Sequence, residues 1–466
     1  MRIKSLVPTL LILVSSAISI STGILLDQRS AAGTANFRAV YYAARSVLEH
    51  ADPYRPNEFL RVYNAESGEY PSDPDQKYLF VRAVSVCVNL PTTLFLAAPF
   101  AMLSWHTSHL VWLALIGVAF TVAGFLAYDL GRDYAPRLSL LLVCIMLANS
   151  EVLFAVGNTA GIAVSLCVVG LWCLVRQRGA WAGSVLFALS LALKPHDSGL
   201  LWLLLMSLGG RLRKGAAWSL VIVACIALSS LLWISRVAPD WPHELSANLS
   251  TTSQRGDISD PGPSSISRKG SADVVIDLQS ALSLIWDNPA FYNPAALLIC
   301  GTLLIVILAR TFLDRTEFPD AYLAIAAIAT LSVLPTYHRP YDARILLLAV
   351  PGAAMLWAQG CQWGKFIAPL TVAATVFTAD VPLAVVSVLT KGWDLVRMPF
   401  VQRLFALPVT RPAPLLLLLL TALFTFIYLR CRKVESRGGT LSQLGPSSQS
   451  EFRKLRAGHI AAGAEQ

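Results

Sequence analysis

Lys194, His196 and Asp197 stand within four residues of one another in LALKPHDSGLLWLLLM (191–206), between two runs of apolar side chains. An ammonium, an imidazole and a carboxylate set this close can hold an anion, move a proton or neutralise one another. From Arg178 to Lys194 is 16 residues, a rise of roughly 24 Å as helix, against a hydrocarbon core of about 30 Å. The returning run from Ser198 to Arg211 is shorter still. The turn KPHD is therefore expected to sit sunk below the outer face of a bilayer. There an unpaired charge is costly, and irregular backbone is tolerated only beside protein or a water-filled cavity. A recessed cation facing such a cavity suits a phosphate or another anion, because low dielectric strengthens the attraction. The structural alternative is a lysine that reaches the interface along its alkyl stem or pairs with Asp197.

Two further polar stretches belong with this turn. NSEVLFAVGNTAG (149–161) carries Glu151 and Asn158, and YHRPYDAR (337–344) carries His338, Arg339, Tyr341 and Asp342. Taken singly, each has a structural role to play: Asn158 as a helix N-cap, His338 and Arg339 as interface residues, Asp342 as a partner for Arg344. All lie where apolar runs meet the same outer surface, which makes a shared pocket the expectation.

The elements that must position these groups follow from composition. Of 466 residues, 55% are hydrophobic and only 14% charged, with mean hydropathy +0.59, well below the charged fraction of about 25% typical of soluble domains. The fold class is all-α polytopic membrane protein. The net charge of +9 is expected to mark cytoplasmic loops, and no nucleic-acid partner is expected. The eight cysteines lie mostly in apolar segments without a C-x-x-C pair and read as small hydrophobes. The N-terminus, MRIKSLVPTLLILVSSAISISTGILLDQ, has a basic tip and an apolar stretch too long for a cleaved signal, so it reads as a first helix entering from the cytoplasm.

Thirteen apolar segments can be marked out, counting the first helix and the run over 82–103. If all thirteen crossed, GRDYAPR (131–137), RQRG (176–179) and GGRLRKG (209–215) would lie outside, against the positive-inside tendency. If 82–103, with Arg82, Asn89, Pro91 and Pro99, is re-entrant or surface-lying instead, about 12 spans put those clusters and both termini in the cytoplasm. The expected layout is a transmembrane domain over 1–433 and a disordered cytoplasmic tail over 434–466. An external loop over 27–106 holds an amphipathic helix, with Phe37, Val40, Tyr41 and Ala44 at helical spacing, lying along the membrane surface. A second external loop over 237–291 contains TTSQRGDISDPGPSSISRKGS, read as a flexible strip without a packed core.

Four stretches together resemble glycosyltransferase family 87, within the GT-C class of multi-pass glycosyltransferases. NFRAVYYAARSVLEHADPY (36–54) is similar to that family's surface helix after the first span, and NLPTTLFLAAPFAMLS (89–104) to its proline-bearing segment. VLFAVGNTAGIAVSLCVVGLWCLVRQRGAWAGSVLFALSLALKP (152–195) resembles the succession G-Q-x-N, R-x-G, A-G and K-P, and YHRPYDARILLLAVP (337–351) resembles a Tyr-Asp motif opening a late span. The resemblance implies a GT-C-like bundle in the plasma (inner) membrane. It implies transfer of a sugar, mannosyltransferase-like, from a polyprenyl-phosphate carrier to a lipid or glycan acceptor at the outer face, with membrane lipids as the other partners.

In such enzymes a carboxylate after the first span takes the proton of the acceptor hydroxyl, and a cation stabilises the departing phosphate. Lys194, His196, His338 and Arg339 are then the expected phosphate-binding groups, and Tyr41, Tyr42, Asn158, Tyr341 and Asp342 the expected pocket. The chain departs from the family at Asn36, which stands where the acid is expected and cannot act as a base. Asp27, Asp52 and Glu151 are the alternative bases, Asp52 in ADPYRP being equally suited to form a turn. No cofactor is expected, and the external carboxylates are too scattered in sequence to mark a metal site. The alternatives are a transporter or lipid flippase, suggested by the span count, and a catalytically degenerate GT-C scaffold, suggested by Asn36.

Overall fold

In the computed structural model, which describes residues 6–29, 33–265, 275–314, 318–360, 362–390 and 392–430, every regular element is helical. The chain opens with α1 (Leu6–Arg29), and the first loop folds into α2 (Ala35–Leu48), α3 (Pro56–Glu66), α4 (Pro74–Ser85) and α5 (Pro91–Ala101). Then come α6 (Trp105–Arg132), α7 (Pro136–Ala148), α8 (Glu151–Ala155), α9 (Ala160–Arg176), α10 (Ala180–Leu193), α11 (Pro195–Ser207) and α12 (Gly210–Val237). The second loop carries α13 (Trp241–Thr252) and α14 (Leu278–Ile285), followed by α15 (Pro289–Asp314) and α16 (Ala321–Leu331). A 3-10 segment (Asp342–Ala349) runs into α17 (Val350–Ala358), and α18 (Gln362–Phe377), α19 (Asp380–Leu389), α20 (Phe400–Thr410) and α21 (Pro412–Arg430) complete the order. Proline opens α3, α4, α5, α7, α11, α15 and α21, where its missing N–H costs nothing and its φ is already helical.

Six helical stretches among the described residues are long and apolar enough to cross a membrane: α1, α6, the run Pro136–Ala155, α12, α15 and α21. The other expected spans form shorter helices, because polar or proline-bearing breaks interrupt them. The expected span over 365–390 is two helices, α18 and α19, parted at Thr378–Ala379. The run over 82–103 is the end of α4, an extended link and the 11-residue α5, which at about 16 Å is half the length a crossing needs.

The first loop is packed rather than splayed on a surface. The apolar face of α2 is covered by protein: Phe37, Tyr41, Tyr42 and Ala44 are fully buried, and Phe37 stacks on Trp112 at 4.4 Å and Trp105 at 5.5 Å. The strip expected to be flexible is folded as far as it is described. Asp260 accepts from the N–H groups of Gly256 (2.7 Å) and Gly262 (2.8 Å), and Arg82 Nε lies 3.0 Å from Asp257 Oδ2. Residues 266–274 of that strip and the tail over 434–466 lie outside the described residues. Residues Met1–Thr425 make one unit, which holds everything that follows; the described part of the second, Phe426–Gln466, is the last turn of α21.

Candidate functional site

The site begins where α10 stops. Pro195 has no N–H to continue the helix and disfavours helical geometry in the residue before it; Lys194 accordingly takes φ −154°, ψ 80°. The carbonyls thereby left open at Ala192 and Leu193 accept from the hydroxyls of Thr92 (2.6 Å) and Thr93 (2.8 Å) in the first turns of α5. A new helix, α11, starts at Pro195 and places His196 and Asp197 in its first turn.

The largely buried Lys194 ammonium is the hub. It forms an ion pair with Asp342, lies 3.6 Å from Asp197 Oδ2, donates to Asn158 Oδ1 at 3.3 Å and faces the Tyr341 ring at 5.0 Å. Asn158 Oδ1 also accepts from Ala160 N (2.8 Å), so one amide both opens α9 and touches the lysine. Asp342 is oriented by the Arg339 N–H, which donates to its Oδ2 (2.8 Å). Arg344, offered by the sequence as a partner for Asp342, donates to the carbonyls of Pro340, Asn149 and Thr378. One cation therefore faces two carboxylates.

The other oxygen of Asp197 faces imidazoles: Oδ1 is 3.6 Å from His196 Nε2 and 3.8 Å from His338 Nε2. His196 and His338 also line a cavity of about 320 Å³ whose remaining wall includes Pro195, Leu200, Leu203 and Pro335. The polar cluster thus borders an apolar cavity through its two histidines.

The first loop reaches this cluster through its backbone. Thr34 N and Asn36 N donate to the carbonyls of Ala155 (2.8 Å) and Val156 (3.0 Å), beside the turn that carries Asn158. Gly157 takes φ +62° there, and a Cβ on it would meet Phe37 Cβ at 2.9 Å; the turn and α2 approach this closely only because the residue is glycine. Asp27, at the end of α1, lies 3.2 Å from His109 Nε2, and the His109 ring stacks on Trp105 at 5.3 Å. Glu151 is the buried first residue of α8.

Other expected site residues have local duties. Tyr41 OH donates to the Leu103 carbonyl (2.7 Å), and Tyr42 packs on Tyr63 and Trp105, both within the aromatic cluster around α2. Asp52 accepts from Tyr54 N (2.9 Å) and faces Arg55, the geometry of a turn former, and burial holds its carboxyl above its ordinary range. Arg339 donates to Tyr337 OH (2.6 Å) and to the Ile258 carbonyl (2.9 Å), tying the late span to the second loop. Sequence reasoning missed His109 and the paired threonines. The spacing KPHD did signal Asp197, though only as a neutralising neighbour of Lys194.

A break in an apolar helix that buries a lysine among carboxylates, amide and imidazoles defines a membrane protein with a polar site set among its helices. The model of glycosyltransferase family 87 matches residues 89–336, just over half of the chain, and the chain belongs to that family of membrane glycosyltransferases. The match takes in α5, the Asn158 turn and the Lys194 break, and ends before His338. No curated protein and no solved structure matches the chain.

Proposed function

We propose that this protein transfers a sugar from a polyprenyl-phosphate carrier to a lipid or glycan acceptor at the outer face of the plasma (inner) membrane. The observation that carries this reading is the cavity with leucine and proline walls that His196 and His338 also line, both histidines facing Asp197 beside Lys194. Apolar walls suit an isoprenoid chain, and imidazoles with an ammonium close by suit its phosphate. In the twelve-span, GT-C-like arrangement, α9, α10, α11, α16, α17 and α18 with α19 add to the six long stretches, and both termini are cytoplasmic.

The acceptor hydroxyl attacks the anomeric carbon as the bond from that carbon to the phosphate oxygen breaks. The carrier leaves as the phosphate, its added charge met by His196, His338 and Lys194. Asp342 and Asp197 hold the lysine in place, and one of these contacts is exchanged for the phosphate. The proton of the hydroxyl goes to the Asp27–His109 pair, which joins a carboxylate to an imidazole in the way a general base needs; Asn36 lacks the basicity for this step.

Mass spectrometry of lipids retained by the detergent-purified protein tests the reading. Wild type is expected to carry a polyprenyl phosphate and Lys194→Ala much less of it. Its absence from wild type, in protein that is folded, would move transport or scaffolding ahead of transfer.

A further inference from the structure

We propose that His196, Asp197 and His338 form a binding site for a divalent transition ion of the Zn²⁺ class. The ligand-type atoms of the three residues all lie within 4.8 Å of one another. His196 and His338 are expected in one pocket, but at 142 positions apart they show no metal-ligand spacing; the fold assembles the set with Asp197 from the first turn of α11 and the link before the 3-10 segment.

Two observations point to a ligand. The first is the orientation of His338. Its Nδ1 lies 2.5 Å from the Thr336 carbonyl, and in the tautomer with the proton on Nδ1 the ring offers Nε2 as a ligand atom. That backbone contact is the outer-shell arrangement that fixes a metal-binding histidine. Nε2 lies 3.8 Å from Asp197 Oδ1, a separation that a shared cation would bridge.

The second is burial without hydrogen bonds. The side chains of Asp197 and His338 are 0% and 2% exposed, and no hydrogen-bond donor reaches Asp197 Oδ1. A buried acceptor left in that state is destabilising, and a cation beside it removes the penalty. The two oxygens divide their duties: Oδ2 faces Lys194 at 3.6 Å, and Oδ1 faces both imidazoles.

Charge and distance agree. Against Asp197 and Asp342 the cluster sets a single lysine, so a divalent ion leaves a net positive site. Metal–ligand bonds of about 2.1 Å place tetrahedral ligands about 3.4 Å apart; separations of 3.6 and 3.8 Å close to that with small side-chain shifts. His196, 43% exposed, has freedom to move. Two imidazoles and one carboxylate select a borderline ion over Mg²⁺ or Ca²⁺, and three protein ligands leave a position open, here toward the cavity. Use of that position to receive the donor phosphate rests on the function proposed above; binding of the ion does not.

The test uses the full-length protein in detergent, stripped with a chelator, reloaded with Zn²⁺ and counted by plasma mass spectrometry, with Co²⁺ as an optical probe. Wild type is expected to hold about one Zn²⁺ per chain and to give visible Co²⁺ bands. His196→Ala and Asp197→Asn are each expected to weaken Zn²⁺ binding about tenfold or more and to lose the bands, whereas His243→Ala on α13 leaves them intact. The accessible His196 gives a variant that folds even if Asp197→Asn does not. A folded wild type that takes up no Zn²⁺, or uptake unchanged in His196→Ala, would overturn the site. Because the ion is counted without turnover, that result stands apart from failure to retain a lipid carrier.

Discussion

Arg344 is among the largest side chains hidden completely within the fold, and its planar fork does work a lysine cannot. It donates to Asn149, at the end of α7, to Thr378, past the end of α18, and to Pro340, gathering carbonyls from three separate turns. Arg344→Lys should therefore lower the thermal midpoint in detergent, at a cost of about 2–3 kcal/mol. At the proposed base, Asp27→Asn should reduce transfer about 100-fold or more without loss of retained lipid. Asn36→Asp in that background should restore part of the rate, since Asn36 holds its place through its backbone N–H to Val156; no rescue would place the acceptor away from α2. A third residue reports on pH. Asp277, in the second loop, caps α14 through Ser280 N, and burial pushes its carboxyl up to about 7, against the pull of that N–H and of Arg411. The folded chain then keeps a proton that the unfolded chain releases above its ordinary value of 3.8. Stability should fall as pH rises from about 4 to about 7, by at most about 1.4 kcal/mol per pH unit, and level off above. Melting curves of Asp277→Asn, which keeps the cap acceptor, should lack that slope.

Among the elements, α5 is more than a short helix that fails to cross. Its Thr92 and Thr93 hydroxyls close the end of α10, so the first loop sets the geometry of the Lys194 break. Replacing both by valine keeps the shape and removes the donors. The expected result is a lower midpoint, by roughly 1–3 kcal/mol per carbonyl, and slower transfer, while either single change has the smaller effect. The break itself was legible, because a lysine, a proline and an aspartate within an apolar run leave few alternatives. The division of 365–390 into α18 and α19 was not, since the group that takes up the Thr378 carbonyl is Arg344, 34 positions earlier. The packed face of α2 was misjudged for a related reason: helical spacing of Phe37, Tyr41 and Ala44 specifies an apolar stripe but not whether lipid or Trp105 and Trp112 will cover it.

For the molecule as a whole, positive charge and helix length decide the layout. With the clusters at 209–215 in the cytoplasm and the first loop outside, an impermeant thiol reagent should label Asn57→Cys in intact cells and Lys214→Cys only after lysis, in a background without native cysteines. Labelling of Lys214→Cys in intact cells would overturn the proposed arrangement. The polytopic helical class was legible from hydropathy alone. The span count was not, because α10, α11 and α16 at 14, 13 and 11 residues fall below the length at which a helix crosses unaided. The polar cluster was legible only as separate pieces, since contacts such as Lys194 with Asp342 join chain positions that no local spacing relates.

The Lys194–Asp342 pair also bears on how the chain is made. Its members are 148 residues apart, and at a synthesis rate of about 5–20 residues per second the lysine emerges roughly 7–30 s before its counter-ion. A lysine that enters the bilayer at such a break without a counter-ion is costly. Asp197, three residues on, arrives with it and escorts the charge into the bilayer until the late span supplies Asp342. On this view an Asp197→Asn chain is at risk during insertion, before any substrate is met, and its yield in membranes measures the escort separately from the finished site.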